Sequence, residues 1–169
     1  MATGLARVLG IGLAARTDPE VTTMRLTSPA FSDGKLIPAD HTCDGKDASP
    51  PLAWDDVPEE TQSFALLVTD SDADDFVHWL LTDIPADVRE LPEGRGDEMG
   101  TPSSNHFGRS GWGGPCPPSG QHRYVFTLYA LTEPIALGGG RLSADDVLAA
   151  AYARTLATGE LTGVYGRRR

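Results

Sequence analysis

His122-Arg123-Tyr124-Val125-Phe126-Thr127-Leu128-Tyr129-Ala130-Leu131 is the stretch on which the architecture turns. Successive side chains of a strand point to opposite faces. Here Tyr124, Phe126, Leu128 and Ala130 lie on one face, and Val125, Tyr129 and Leu131 on the other. A strand apolar on both faces must be covered on both, so this one belongs in the middle of a sheet. Upstream, Ser63-Phe64-Ala65-Leu66-Leu67-Val68-Thr69 has the same two-faced character. Phe76 to Ile84 forms a third strong strand, with His78 and Leu80 on one face and Val77, Trp79 and Leu81 on the other. The acidic turn Asp70 to Asp75 joins these two.

Working outward, Arg25 to Ser28, Leu36 to Pro38 and Leu52 to Trp54 are short extended segments, and Leu161 to Tyr165 returns as a last short strand. One helix is expected. Ser143 with Asp146 three residues on makes a capping-box start, and Leu148, Ala151, Tyr152, Thr155 and Leu156 follow at helical spacing. The turn Gly138-Gly139-Gly140 precedes it and Gly159 is its terminator. Arg167 to Arg169 are expected to be solvated. Pro85 to Gln121 is a long irregular connection rich in Gly, Pro, Ser and Asn, and connections this long are often functional. The fold class is therefore mainly β, with many shaped loops.

The chain has 169 residues, enough for one core. Its 24 acidic and 14 basic residues give a net charge of -10, which argues against a nucleic-acid partner. No apolar run approaches the roughly 20 residues of a membrane helix. Residues 1–23 are expected to be a poorly ordered extension ahead of a domain over 24–169. A signal peptide would need a longer apolar region than Val8 to Ala15. Cys43 and Cys116 lack the spacing of a metal site. A bridge between them is possible in an oxidising compartment, but two reduced, packed thiols in a cytoplasmic protein are the expectation.

Four features carry chemistry. Asp70-Ser71-Asp72-Ala73-Asp74-Asp75 follows a strand, lacks the spacing of a calcium loop, and is expected to cap its own backbone amides. His78 sits inside a strand. Gly111-Trp112-Gly113-Gly114-Pro115-Cys116-Pro117-Pro118 offers a stiff wall whose glycine N–H groups suit an oxyanion. His122 and Tyr124 share one face and can both donate to a phosphate oxygen. Arg123 points away and would pair with Asp70 or Asp72.

In this order these features resemble the phosphatidylethanolamine-binding protein family, which includes the Raf kinase inhibitor protein and prokaryotic homologues. The matching residues are Thr69-Asp70-Ser71-Asp72-Ala73, Val77-His78-Trp79, Asn105-His106-Phe107-Gly108, Gly113 to Pro118 and His122-Arg123-Tyr124-Val125-Phe126. Upstream, Ser28-Pro29-Ala30-Phe31, Asp44-Gly45 and Ser49 to Trp54 look like the opening of the prokaryotic branch. The resemblance implies a Greek-key antiparallel β-sandwich with a few short peripheral helices. It also implies a small pocket lined by Asp70, His78, Gly114, Pro115, Pro118, His122 and Tyr124. Such a pocket takes phosphate-like or carboxylate anions, with Asp70 orienting a histidine. No metal or other cofactor is called for. Where the family reads Asp-Pro-Asp-Ala-Pro, Ser71 and Asp74 stand here, and Asp74 is expected to put negative charge near the mouth. Trp112 stands where a tyrosine is usual.

The residues favour an anion-binding module, and the resemblance implies regulation of a kinase or other phosphorylated protein partner. A hydrolase or isomerase using the Asp70 and histidine pairing is the second reading, although no nucleophile motif accompanies it. The third is a homodimer acting as a scaffold with a vestigial pocket, since prokaryotic relatives often pair.

Overall fold

The computed structural model describes residues 22–136 and 143–167. Its elements are β1 (Thr22–Thr23), β2 (Arg25–Thr27), β3 (Lys35–Leu36), β4 (Leu52–Asp55), β5 (Ser63–Asp70), β6 (Phe76–Pro85), β7 (Glu90–Leu91), β8 (Thr101–Pro102), β9 (Gln121–Leu131), α1 (Ala144–Tyr152) and β10 (Thr155–Gly166). Single 3₁₀ turns lie at Ala39–His41 and Gly96–Met99.

The large sheet runs β1-β10-β9-β5-β6-β8, with β3 also on β10, and the small sheet runs β2-β4-β7. The stretch 122–131 is interior, as its two-faced pattern predicts: β9 pairs antiparallel with β10 along one edge and with β5 along the other. One face of the large sheet packs on the small sheet through Phe64, Leu66, Val68, Trp79, Phe126 and Leu128 against Leu26, Leu52, Trp54 and Leu91. The opposite face, with Ala65, Leu67, Leu80, Tyr129 and Leu131, is covered by Val147 and Ala151 of α1. This is the sandwich expected, with one helix on its outer side, although the short β1 and β3 pair parallel with β10 where antiparallel pairing was expected.

Several boundaries differ from the sequence expectation. Thr22 and Thr23 pair with Ala157 and Thr158, so the large sheet includes residues ahead of Met24. The expected extension before them and the Gly138-Gly139-Gly140 turn lie outside the described residues. Pro85 to Gln121 is not wholly irregular, since it contains β7, β8 and a 3₁₀ turn. The capping box at Ser143 and Asp146 is present. The helix nevertheless ends at Tyr152, and Thr155, Leu156 and Gly159 belong to β10. Thr and Gly are poor helix formers, and a ladder along all of β9 outcompetes one more helical turn.

Gly159 is thus no helix terminator. A Cβ there would stand 3.2 Å from the Met24 carbonyl oxygen and 3.3 Å from Leu26 Cβ, because the N-terminal segment crosses β10 closely. Gly163 has less room still, its absent Cβ position lying 2.5 Å from Ile37 Cγ1 and 2.9 Å from Phe31. The Gly163→Ala variant should fold with stability reduced by about 1–3 kcal/mol from overpacking, read from its urea midpoint. A variant as stable as the parent would show that Ile37 and Phe31 yield freely.

Candidate functional site

A cavity of about 170 Å³ opens at the end of the sandwich where β5, β6 and β9 meet, lined by Asp70, Ala73, Phe76, His78, Phe107, Cys116, Pro117, Pro118, His122 and Tyr124. Asp70 ends β5, and strand pairing sets it opposite Tyr124 of β9. His122, two residues before Tyr124, shares its face. Register alone therefore brings three of the polar side chains together.

His78 arrives by a different route. Val68 pairs with Trp79 and Thr69 with Val77, so β6 carries an extra residue, His78, as a β-bulge. The strict alternation read from the sequence fails here. Val77 packs with Leu80 on the α1 side, whereas Trp79 and Leu81 face the small sheet. The bulge lets the His78 ring lie edge-on to Tyr124 at 5.1 Å and to Phe107 at 5.1 Å.

Each imidazole is held at Nδ1. His78 Nδ1 is 2.6 Å from the Gly113 carbonyl oxygen, while the Gly113 N–H returns a 3.0 Å bond to the His78 carbonyl. A carbonyl only accepts, so the His78 Nδ1 carries the proton. His122 Nδ1 stands 2.6 Å from Asp70 Oδ2. Asp70 in turn accepts the Asp72 N–H at 2.9 Å, so the acidic turn does cap its own backbone. Tyr124 is buried, with 1% exposure, and its hydroxyl has no hydrogen-bond partner among the described residues. Burial and the nearby Asp70 push that phenol above its ordinary range, so it stays a neutral O–H donor.

The loop wall is ordered by Asn105, a residue quoted for its motif but not assigned a role. Its side chain donates to the Gly111 carbonyl at 2.9 Å and accepts from the Phe107 N–H at 2.9 Å. That turn carries Phe107 to the cavity rim against Phe76, at 4.9 Å between ring centroids. Ala73, Phe76, Phe107, Cys116 and Pro117 line the cavity without having been assigned to it, although all but Phe76 stand in the quoted motifs. Aromatic side chains next to the motif histidines were the signal available.

Gly114 and Pro115 do not line the cavity. The Gly114 N–H donates to Asp47 Oδ1 at 2.8 Å, and the Pro115 carbonyl accepts from the Cys43 N–H at 3.2 Å. The glycine N–H groups expected to be free are therefore engaged, that of Gly114 by Asp47 and that of Gly113 by the His78 carbonyl. Asp74 is also displaced from its expected place at the mouth: it faces a separate groove beside α1, with Asp75, Tyr129 and Tyr152. Arg123 pairs with Asp72 at 3.0 Å and keeps the Asp72 carboxyl below its ordinary range, leaving Asp70 to His122. Trp112 is buried against Trp79 and Phe126, so it serves the core rather than the cavity. Among the described residues no three His, Cys, Asp or Glu side chains converge as metal ligands would.

The cysteines depart from expectation. Cys43 and Cys116 form a disulfide, with Cα atoms 5.5 Å apart, and are not two reduced thiols. The Cys43–Pro115 backbone bond and the Gly114–Asp47 bond hold the two loops side by side, which no spacing along the chain reveals. Arg167 is not simply solvated either: it bonds Asp44 at 3.1 Å and lies over both sulfurs.

The profile of the phosphatidylethanolamine-binding protein matches residues 27–166, nearly all of the described chain. This chain belongs to that family. A UPF0098 protein of Aquifex aeolicus is 44% identical over 156 residues, covering 85% of this chain and 89% of its own. One from Methanothermobacter thermautotrophicus is 44% identical over 151 residues, covering 85% and 99%. Among solved structures, Escherichia coli YbcL, titled a new member of the mammalian family, superposes with a TM-score of 0.80 at 34% identity, covering 87% of this chain and 100% of its own. The homologue CT736 of Chlamydia trachomatis gives 0.79 at 35% identity, covering 87% and 99%. Family membership thus carries the β-sandwich and its pocket, while the details above belong to this sequence.

Two outcomes follow from the site. Reducing the disulfide, which closes a loop with a sequence separation of 73, should cost about 2–4 kcal/mol of stability, seen as a lower urea midpoint with dithiol present. An unchanged midpoint would show that the loops need no covalent tie. Burial holds the His78 imidazole below its ordinary range, against the opposing pull of the Gly113 carbonyl and Asp70. The unfolded chain then binds a proton more readily, so His78 adds stability above an unfolded-state pKa of about 6.5, and this is lost as pH falls below that value. The ligand-free protein should show a Tm that declines from about pH 7.5 to 5.5, less steeply in His78→Gln. Parallel profiles would remove His78 as a cause.

Proposed function

We propose that this protein is a small-anion-binding module, taking a phosphoryl or carboxylate group into the cavity between His78, His122 and Tyr124. The observation that carries this reading is the Tyr124 hydroxyl, a buried donor on the cavity wall that lies near Asp70 yet has no acceptor in hydrogen-bonding geometry among the described residues. Buried polar groups in native proteins are nearly always satisfied, and an oxyanion oxygen between two imidazole edges supplies the missing acceptor. Phe76, Phe107, Pro117 and Pro118 give the cavity an apolar rim, suited to the carbon portion of a ligand whose head sits deeper.

A phosphorylated side chain of a partner protein presents the same head group as a free phosphorylated metabolite, so regulation of a phosphoprotein is compatible with this chemistry. A hydrolytic reading would need a nucleophile beside the Asp70–His122 pair. Cys116, whose residue lines the cavity, is tied in a disulfide and cannot serve.

Titrating the protein with phosphate and O-phosphorylated amino acids should give saturable NMR shifts at the His78 and His122 side chains. The His122→Ala variant should lose at least about tenfold in affinity, the scale of a charge-assisted bond, while keeping its fold. Equal affinity in the variant would refute this assignment of the cavity.

A further inference from the structure

This inference rests on the anion-binding reading and asks what charge state the bound anion has. An oxyanion offers acceptors only, so each of its oxygens needs a donor from the wall. The backbone has little to give. The N–H groups of Ala73, Phe76, Gly113 and Gly114 are bound to Asp70 O, Ala73 O, His78 O and Asp47. That of Phe107 is bound to Asn105. Pro117 and Pro118 have no N–H at all. The donors left are the N–H of Cys116, which bonds no acceptor among the described residues, and side chains: Tyr124 O–H and whatever protons stand on the two Nε2 atoms.

Both Nδ1 positions are committed, that of His78 to a carbonyl and that of His122 to a carboxylate. In a neutral imidazole with its proton at Nδ1, Nε2 is a bare lone pair. Such a nitrogen facing an anion oxygen is repulsive until a proton lies between them. We propose that the pocket takes its anion together with a proton, shared between the ligand and His78 Nε2, and so selects singly charged, proton-carrying oxyanions over permanent dianions. A hydrogen phosphate monoester donates its own P–OH to His78. A ligand without a proton makes His78 acquire one from solvent.

Charge counting favours the same class. Asp70 already supplies one negative charge within the cavity, facing His122 and Tyr124. Around His78, the segment 41–47 contributes Asp47, which pairs with Arg109 at 3.5 Å. The acidic turn contributes Asp72, paired with Arg123. The loop contributes His106, whose Nδ1 accepts the Val77 N–H at 2.9 Å. The nearby arginines are thus engaged with carboxylates. The Asp70 carboxylate is already engaged by the His122 ring, and one proton at His78 offsets one ligand charge. A second ligand charge has no counterion among these groups. Burial at His78 disfavours the isolated imidazolium, so the proton is held there only with the anion present.

Sulfate isolates the protein's share, because it carries no proton near neutrality, whereas inorganic phosphate can bring its own. Calorimetric titration of the full chain with each, in two buffers of different ionisation enthalpy, reads the protons taken up; each comes from the buffer acid and leaves its conjugate base. For sulfate above about pH 7, uptake should be at least about one proton per anion, with affinity falling about tenfold per pH unit for each proton taken up. Phosphate should bind more tightly than sulfate at the same pH. Saturable sulfate binding with no buffer dependence would overturn the proposal while leaving the anion site intact. An absence of binding at every pH, with unmoved histidine NMR signals, would instead overturn the underlying reading. The His78→Gln variant, whose amide can donate without titrating, should bind sulfate with proton uptake reduced at least twofold. Undiminished uptake would overturn His78 as the proton's site.

Discussion

The pairing of β9 with β5 on one side and with β10 on the other, over most of residues 121–131, constrains everything else in this protein. A strand hydrogen-bonded along both edges and apolar on both faces has no solvent-facing side. It therefore requires a second sheet over one face and a helix over the other. The first half of β9, which is partly exposed, is where that requirement relaxes. There the inward-facing positions become His122 and Tyr124, and the same register that builds the core lays them beside Asp70.

The second histidine depends on a local fault in regularity. Without the extra residue in β6, His78 would follow the strand's alternation with Leu80 toward α1. With it, His78 turns to the cavity and Trp79 still reaches the core. The reciprocal bonds between His78 and Gly113 then make one loop residue both an anchor for the bulge and the reason for the imidazole's tautomer. Fold and site are linked by the arrangement of a few backbone groups, and the chemistry of the cavity follows from which of those groups are already engaged.

Much of this was legible in the sequence, because hydrophobic parity survives folding. The central strand, its two neighbours and the capping box lie where pattern put them, and the motif residues Asp70, His78, Pro118, His122 and Tyr124 line one cavity. What failed did so for reasons periodicity does not encode. Gly159 read as a stop signal, yet it is a crossing point for the N-terminal segment. Gly114 and Pro115 read as ligand contacts, yet their polar backbone atoms serve Asp47 and Cys43 across a long sequence gap. Asp74 read as a charge at the mouth, yet a turn with φ of 51° at that residue directs it to another groove. Each miss is a long-range contact or a backbone reversal.

The bridge between Cys43 and Cys116 has a mechanical meaning as well. It closes a covalent ring around β4 to β8, which includes His78 and the loop over the cavity, and leaves β1 to β3, β9, α1 and β10 outside it. Tension applied to the two chain ends is carried across the sulfurs and bypasses the ring. Stretching would first draw out the outer strands, His122 and Tyr124 with them, while the enclosed segment stays slack. The oxidised molecule thus has a load path through one half of its cavity and none through the other.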